Sequence, residues 1–327
     1  MVDNTIKYQD FPGEKIKLKR IFTNQKLLEK AVDGFSTPQK IKEAQGDFYL
    51  FPLPEKRPQL WASYVSSLDG KIAFPDRQDG TLIARANWLN STGALADYWL
   101  LNVYRTYADA VFLGGSTLAA EPDLTGAVYD RDLVQIRTSK LKKKTEQPVN
   151  IIITRSGENL PAEHQIYHHL AFPTWIYTFT DSLTKLEAAL DFSFKKINLK
   201  DILQGRMEIK ELFSRDKLFV IHSSAQKSGE CHLNFLAALK KIGINRVLIE
   251  PSRYVWQLMQ AGLLDELFLN FSGIFVGGDI SLGRGNPFGL SEVPLGKIVT
   301  VALKEDNFFY TRQKLYYQNQ RKKNDEI

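Results

Sequence analysis

Four short stretches carry residue types suited to chemistry on phosphorylated small molecules. One is Ser66-Ser67-Leu68-Asp69-Gly70-Lys71, which sets two hydroxyls, a carboxylate and an amine side by side. A second is Gly114-Gly115-Ser116-Thr117, followed by Glu121. Paired glycines let a backbone approach a ligand closely and leave amide N–H groups free for phosphate. The third is Glu250-Pro251-Ser252-Arg253, where a strand should feed a helix. Helix N-termini favour anions through their free N–H groups and their dipole. The fourth is Phe275-Val276-Gly277-Gly278, followed by Gly283-Arg284-Gly285-Asn286-Pro287-Phe288. Each also has a purely structural reading. Asp69-Gly70 is a common turn pair, Ser252 is a competent helix cap, Glu250 suits a cap or half of a salt bridge, and the fourth stretch reads as a surface loop.

The elements that must hold these residues follow from apolar periodicity. Leu60–Val65, Ala110–Leu113, Val149–Thr154, Thr174–Phe179, Leu218–His222, Val247–Ile249 and Leu267–Phe271 read as strands. Trp88–Tyr107 reads as a helix, with Leu95, Trp99 and Val103 on one face. Further helices are expected over His232–Ile242 and over Tyr254–Ala261, the latter capped by Gly262. A closing hairpin is expected from Val299–Lys304 and Phe308–Tyr317. Strands alternating with helices, several of them wholly apolar, imply an α/β fold: a mostly parallel sheet with helices on both faces and an antiparallel C-terminal hairpin. In such sheets ligands bind beyond the carboxyl ends of the strands. All four stretches fall at such ends. Residues 1–55 read as an N-terminal extension with one helical stretch near 24–33, residues 56–317 as the main domain, and 318–327 as a charged tail.

Composition narrows the classes. With 327 residues and 43% hydrophobic content, the chain can bury a full core. Its single cysteine, Cys231, excludes an intrachain disulfide and argues against a cysteine zinc site. No signal-like or membrane-length apolar run is present, so a soluble, cytoplasmic protein is expected without membrane partners. The net charge of +6 suits an anionic ligand. The densest basic run, residues 137–144, reads as a solvated loop between strands, and no nucleic-acid motif accompanies it.

In order and spacing, the four stretches resemble the pyrimidine reductases of riboflavin biosynthesis and their stand-alone relatives, within the dihydrofolate-reductase-like superfamily. The matching segments are Ser67-Leu-Asp-Gly-Lys-Ile-Ala73, Ala108-Asp-Ala-Val-Phe-Leu-Gly-Gly-Ser-Thr117, Gly243-Ile-Asn-Arg-Val-Leu-Ile-Glu250, Ala261-Gly-Leu-Leu-Asp-Glu-Leu267 and Gly277-Gly278. The resemblance spans roughly 57–316. It implies NADPH as hydride donor to a ribosylamino-pyrimidine phosphate or a pteridine-like small molecule, and a homodimer. It also implies roles. Val65, Ser66, Gly114, Gly115, Thr117, Ser252 and Arg253 would contact the cofactor. Ser67, Arg105 and Glu121 would line the substrate, with Arg105 matching an arginine near its phosphate. Glu250 and Asp69 would be catalytic. The general acid stays open among Glu250, Glu121, Asp69 and water.

The chain departs from that family at three places. Pro251-Ser252 stands where Gly-Gly is usual, and proline has no N–H to offer a phosphate. Ser63 stands where riboflavin-pathway members often carry lysine. The stretch after Thr117 is one residue shorter, with Glu121 in place of an aspartate. The first two departures, Glu250-Pro251-Ser252 and Ser63, motivate an alternative, a non-catalytic nucleotide-binding protein on the same fold. The deaminase half of the bifunctional enzymes has no counterpart: there is no His-x-Glu and no Pro-Cys-x-x-Cys.

Overall fold

The computed structural model describes residues 5–33, 36–77, 79–158, 160–224 and 228–318, with the backbone alone for 228–231. Its strands are β1 (Lys19–Thr23), β2 (Gln59–Ser67), β3 (Ala110–Gly114), β4 (Val149–Ile153), β5 (Thr174–Phe179), β6 (Lys195–Asn198), β7 (Leu218–Ser223), β8 (Arg246–Ile249), β9 (Glu266–Ser272), β10 (Leu295–Lys304) and β11 (Phe308–Tyr316). Most pairings are parallel, and the chain closes on the antiparallel β10–β11 hairpin. Two compact units interleave along the sequence. The first holds the described residues of Met1–Gln9, Leu53–Gln59 and Tyr104–Pro251. The second holds those of Asp10–Pro52, Leu60–Val103 and Ser252–Ile327.

In the first unit six strands run parallel in the order β8-β3-β4-β5-β7-β6. Every residue of β3 is buried, as its unbroken apolar run requires of a central parallel strand. Phe235, from the helix Ser228–Lys241, stacks on Tyr177 of β5 at 3.7 Å between ring centroids and tilts against Phe112 of β3 at 5.8 Å. At the far edge, β6 exposes Lys195 and Lys196, charges that discourage edge-to-edge pairing.

In the second unit the order is β1-β10-β11-β9-β2, antiparallel except for β9 beside β2. The hairpin turns at 305–307 with Glu305 at a φ of 56°. Trp61 of β2 and Phe268 of β9 pack edge to face under Phe48. Beside them Glu266 accepts from Arg312 Nε at 2.6 Å and from the Trp61 indole at 3.1 Å. The Arg312 guanidinium lies over the rings of Phe48, Phe51 and Phe268. The segment expected as an extension thus builds part of this unit: β1 pairs with β10, and Leu27 and Phe51 enclose Val299.

The helix Ser91–Tyr107 begins three residues later than its apolar pattern implies. Asn90 caps it, its side-chain oxygen accepting from Gly93 N–H at 2.7 Å, so Trp88 and Leu89 are left exposed outside it. Trp99 and Val103 are fully buried as expected. Gly262 ends the helix Ser252–Gln260 at a φ of +68°, the left-handed cap its sequence implies.

The basic run differs from expectation. Residues 131–139 form a helix, Arg131–Ser139, capped by Asp130. Arg137 is wholly buried and donates to the carbonyls of Arg105, Thr106, Ala108 and Thr145. Lys143 pairs with Asp109 at 2.8 Å, and burial pulls its pKa down to about 8 despite that partner. A stretch read as solvated is therefore partly interior, because orphaned carbonyls at the end of one helix need donors. The charged tail beyond 318, and Gly34, lie outside the described residues.

Candidate active site

The four stretches begin where β2, β3, β8 and β9 end, at Ser67, Gly114, Ile249 and Ser272. In the first unit, β8 delivers Glu250 and the helix Ser91–Tyr107 delivers Arg105. Arg105 Nε donates to Glu250 Oε1 at 2.9 Å and Nη2 to Oε2 at 3.0 Å, a two-pronged ion pair. Its remaining nitrogen, Nη1, donates to Ala127 O at 3.0 Å. Arg105 is 1% exposed, while Glu250 keeps 14% of its side chain accessible. Thus the acid opens toward solvent and the arginine does not.

Gly114 packs tightly there: a Cβ added to it would sit 3.2 Å from Pro251 Cβ. The glycine therefore answers a close approach between two strand ends. Gly115 and Thr117 lie in the short helix Gly115–Ala120 that follows. Glu121 comes next, its N–H donating to Thr117 O. Its carbonyl lies 3.1 Å from His164 Nε2, while His164 Nδ1 accepts from Ile166 N–H. That second bond places the proton of the neutral ring on Nε2. Burial, only partly opposed by the Glu121 carbonyl, lowers the histidine's pKa and keeps it in that form. His164 thereby pins the Glu121 loop, a role with no signal in the residue pattern. An exposed arginine, Arg155, follows β4, and neither an ion pair nor a hydrogen bond engages its side chain among the described residues.

In the second unit, β2 ends in Val65, Ser66 and Ser67, all buried. Ser67 Oγ donates to Asp69 Oδ1 at 2.5 Å and accepts from Lys71 N–H at 2.9 Å. Asp69 in turn accepts from the consecutive amides of Val276 at 3.1 Å and Gly277 at 2.7 Å. These bonds, that of Ser67 foremost, hold Asp69 down to about 2, so it is an anion throughout the neutral range. One carboxylate joins the first and fourth stretches. Gly277 and Gly278 both adopt positive φ, 76° and 70°, which lets the loop turn back over it. Ser252 opens the helix Ser252–Gln260, and Arg253 beside it is exposed with no side-chain partner among the described residues.

A further ionisable group lies in this unit. Asp97 accepts from Asn270 Nδ2 at 2.7 Å, and Asn270 Oδ1 is buried without a partner. Burial raises Asp97 to about 6, the amide donor opposing only part of the shift. No helix among the described residues is long and apolar enough to cross a membrane. Nor do three or more His, Cys, Asp or Glu among them gather as metal ligands.

The architecture is that of a dihydrofolate-reductase-like α/β protein, and within each unit the candidate residues lie at or just beyond the carboxyl ends of parallel strands. The model of the RibD C-terminal domain matches residues 58–295, and the chain belongs to that family. Among solved structures it is similar to RibD of Acinetobacter baumannii, with a TM-score of 0.52 and 18% identity, covering 80% of this chain and 58% of that one. It is also similar to a diaminohydroxyphosphoribosylaminopyrimidine deaminase/5-amino-6-(5-phosphoribosylamino)uracil reductase from Thermotoga maritima. There the TM-score is 0.50 and the identity 20%, over 79% of this chain and 57% of that one. A pyrimidine reductase-like protein from Corynebacterium diphtheriae aligns with a TM-score of 0.53 and 12% identity, over 79% of this chain and 92% of that one. At such identities the likeness is one of fold. The chain spans less than three-fifths of the first two proteins. No curated protein matches it.

Proposed function

We propose that the protein is an NADPH-dependent reductase acting on a small ribosylamino-pyrimidine phosphate, of the kind named by 5-amino-6-(5-phosphoribosylamino)uracil, or on a pteridine-like relative. The observation that carries this reading is membership of the RibD C-terminal domain family across 58–295. When bound, NADPH supplies the hydride, and one proton from an acid or water completes the reduction. The chain's part is to bind and orient. Ser252 and Arg253, at the start of a nine-residue helix, suit the cofactor's diphosphate. The uncompensated charge of Arg155 at a strand end favours the more anionic NADPH over NADH. Val65, Ser66, Gly114, Gly115 and Thr117 complete the proposed cofactor contacts, and Ser67 and Glu121 those to substrate. Of the two acids proposed as catalytic, Glu250 is held by Arg105 and keeps part of its side chain accessible. Asp69, ionised and engaged with backbone amides, serves by shaping its loop.

A homodimer is part of the proposal. Phe22, Val301, Thr311 and Leu269 are neighbours in register across β1, β10, β11 and β9, as are Leu303, Phe309 and Phe271. All are partly or largely exposed, an apolar sheet face suited to a second copy. Light scattering that returns a monomer at micromolar concentration would remove this element.

The test is a melt followed by turnover. Saturating NADPH at a hundredfold excess over its Kd should stabilise the chain by about 2 to 3 kcal/mol, with NADH doing less. NADPH absorbance should then fall on addition of the ribosylamino-pyrimidine phosphate. No shift with either nucleotide defeats the cofactor reading. A shift without turnover supports the second reading, a nucleotide-binding protein that does not reduce, which Pro251 and its missing N–H favour.

A further inference from the structure

We infer that Asp97 is a specificity-determining residue, which takes the substrate's heterocycle by a ring N–H and the exocyclic amine next to it. The ligand class is a 2-amino-4-oxopyrimidine, alone or as one ring of a pteridine, in preference to a uracil. The inference deepens the proposed reductase activity and rests on it.

Three observations carry it, all within the second unit. First, Asp97 is an acid without a counter-ion. It accepts from Asn270 Nδ2 at 2.7 Å, and no lysine, arginine or histidine pairs with it among the described residues. Withdrawing a carboxylate from water with no cation beside it costs stability. Its burial, which raises it to about 6, therefore calls for a functional reason. Second, it lies beside residues already proposed for the site. Asn270 is in direct register with Val65, and Ser272 with Ser67. Alternate residues share a face of a strand, so Asp97 packs on the face of the sheet that carries Val65 and Ser67. Its helix is fixed there. Tyr310 Oη donates to Gly93 O at 2.8 Å, and Asn90 Nδ2 to Lys304 O at 2.8 Å. Third, the place can be reached. On this face Trp61, Val65, Phe268 and Asn270 are all buried, whereas Ser63 and Asp97 stay partly exposed. The Ser63 hydroxyl has no partner among the described residues.

The pair of side chains asks for donors. An ionised carboxylate only accepts, and Asn270 spends its amide on Asp97 while its own carbonyl oxygen has no partner. A ring N–H beside an exocyclic amine presents two parallel donors, which match the two oxygens of a carboxylate as a guanidinium fork does. A 2-amino-4-oxopyrimidine has that edge. A uracil carries a carbonyl in place of the amine and would turn an oxygen toward the acid, leaving two acceptors face to face. Ser63 fits the same reading. It pairs in register with Phe268, so the lysine that relatives often carry there would set a cation on this face. Its replacement by serine leaves the carboxylate to the donors of a ligand.

The experiment compares the full-length chain with Asp97→Asn on two matched pairs of compounds. Turnover with NADPH is measured on 5-amino-6-(5-phosphoribosylamino)uracil and on its counterpart with a 2-amino group in place of the 2-oxo group. Calorimetry without turnover uses two ring probes, 2,5,6-triaminopyrimidin-4-one and 5,6-diaminouracil. The unaltered chain should favour the 2-amino member of each pair by about tenfold or more, in kcat/KM and in Kd. Asparagine replaces one acceptor oxygen by a donor. Asp97→Asn should therefore lose affinity for the 2-amino member and bring the ratio to within about twofold of unity, or reverse it, with its NADPH affinity unchanged. Equal use of the two pyrimidines by the unaltered chain, a preference for the uracil, or a 2-amino preference that survives Asp97→Asn overturns the inference. If Asp97→Asn does not fold, Asp97→Ser is held to the same criterion, and if neither folds the preference of the unaltered chain decides. If that chain oxidises no NADPH with either pyrimidine, the reductase reading fails by itself and the ring probes decide. Tighter binding of the triaminopyrimidinone, lost in the variant, upholds the inference, and equal or absent binding overturns it.

Discussion

Asp69 illustrates how a residue chosen for its chemistry can be occupied by structure. Its carboxylate takes one hydroxyl and two consecutive amide donors, so its proton leaves near pH 2 and does not return in the neutral range. A group so tuned is a poor general acid and a good loop clamp. Asp69→Asn keeps the shape and weakens the acceptor. Amide exchange at Val276 and Gly277, in the loop after β9, should quicken in that variant while β2 and β9 themselves stay unchanged, as read by hydrogen exchange. The pH sign follows from a folded pKa below the unfolded one. The stabilisation is present above about pH 4 and disappears as pH falls through about 2. The melting temperatures of the two proteins should therefore converge on acidification, and a gap that persists at pH 2 would sink the clamp. The sequence placed Ser67, Asp69 and Gly277 in the right stretches. It did not reveal that one residue would bind the other two, because that needs the ends of β2 and β9 to be adjacent, which is a fact of register.

At the scale of elements, legibility followed burial. Strands β2, β3, β4, β5, β7, β8 and β9 were readable because their apolar runs are the signal that burial leaves. Strands β1 and β6 were not, since Lys19-Arg-Ile-Phe-Thr23 and Lys195-Lys-Ile-Asn198 are edge strands whose charges mask the pattern. The helix Arg131–Ser139 was hidden in the same way: Arg137 looks polar in sequence yet is interior. Asp97 is the mirror case, an acid set within an apolar helical face. Burial raises it to about 6, the Asn270 amide donor opposing only part of the shift. A folded pKa above the unfolded value means the benefit is complete below about pH 4 and is lost as pH rises through about 6. Asp97→Asn cannot ionise and still accepts from Asn270. Relative to the parent it should gain about 2 kcal/mol of stability between pH 4 and pH 8, a figure reduced for the side chain's partial exposure. Denaturant melts across that range measure it, and parallel pH profiles for the two proteins would refute it.

The whole molecule depends on the first fifty residues more than their sequence suggests. They lack a long periodic run, and the Pro-bearing stretch Phe51-Pro52-Leu53-Pro54 reads as a boundary. In the second unit, however, β1 covers the outer edge of β10, and Asn24 N–H donates to Val299 O at 2.9 Å. Phe48 and Phe51 cover the Arg312–Glu266 pair, whose members are 5% and 1% exposed. A pair buried this deeply repays its desolvation only with good geometry and further hydrogen bonds, and Arg312 Nη2 is buried without such a partner, so the guanidinium depends on the rings packed against it. A chain beginning at residue 53 would uncover Val299, Arg312 and a strand edge together. Losing one buried phenylalanine alone costs about 3 to 5 kcal/mol, and a domain's net stability is only about 5 to 15 kcal/mol. The truncated chain should therefore show no cooperative melt and should aggregate through β10. Phe48→Ala in the full chain should fold, with a loss of about 3 kcal/mol by denaturant titration. A truncated chain that is monodisperse and melts sharply near the parent's temperature would make residues 1–52 a true appendage. In that case the apolar and ionic core of the second unit would have to close without Phe48 and Phe51, which the placement of Arg312 between their rings speaks against.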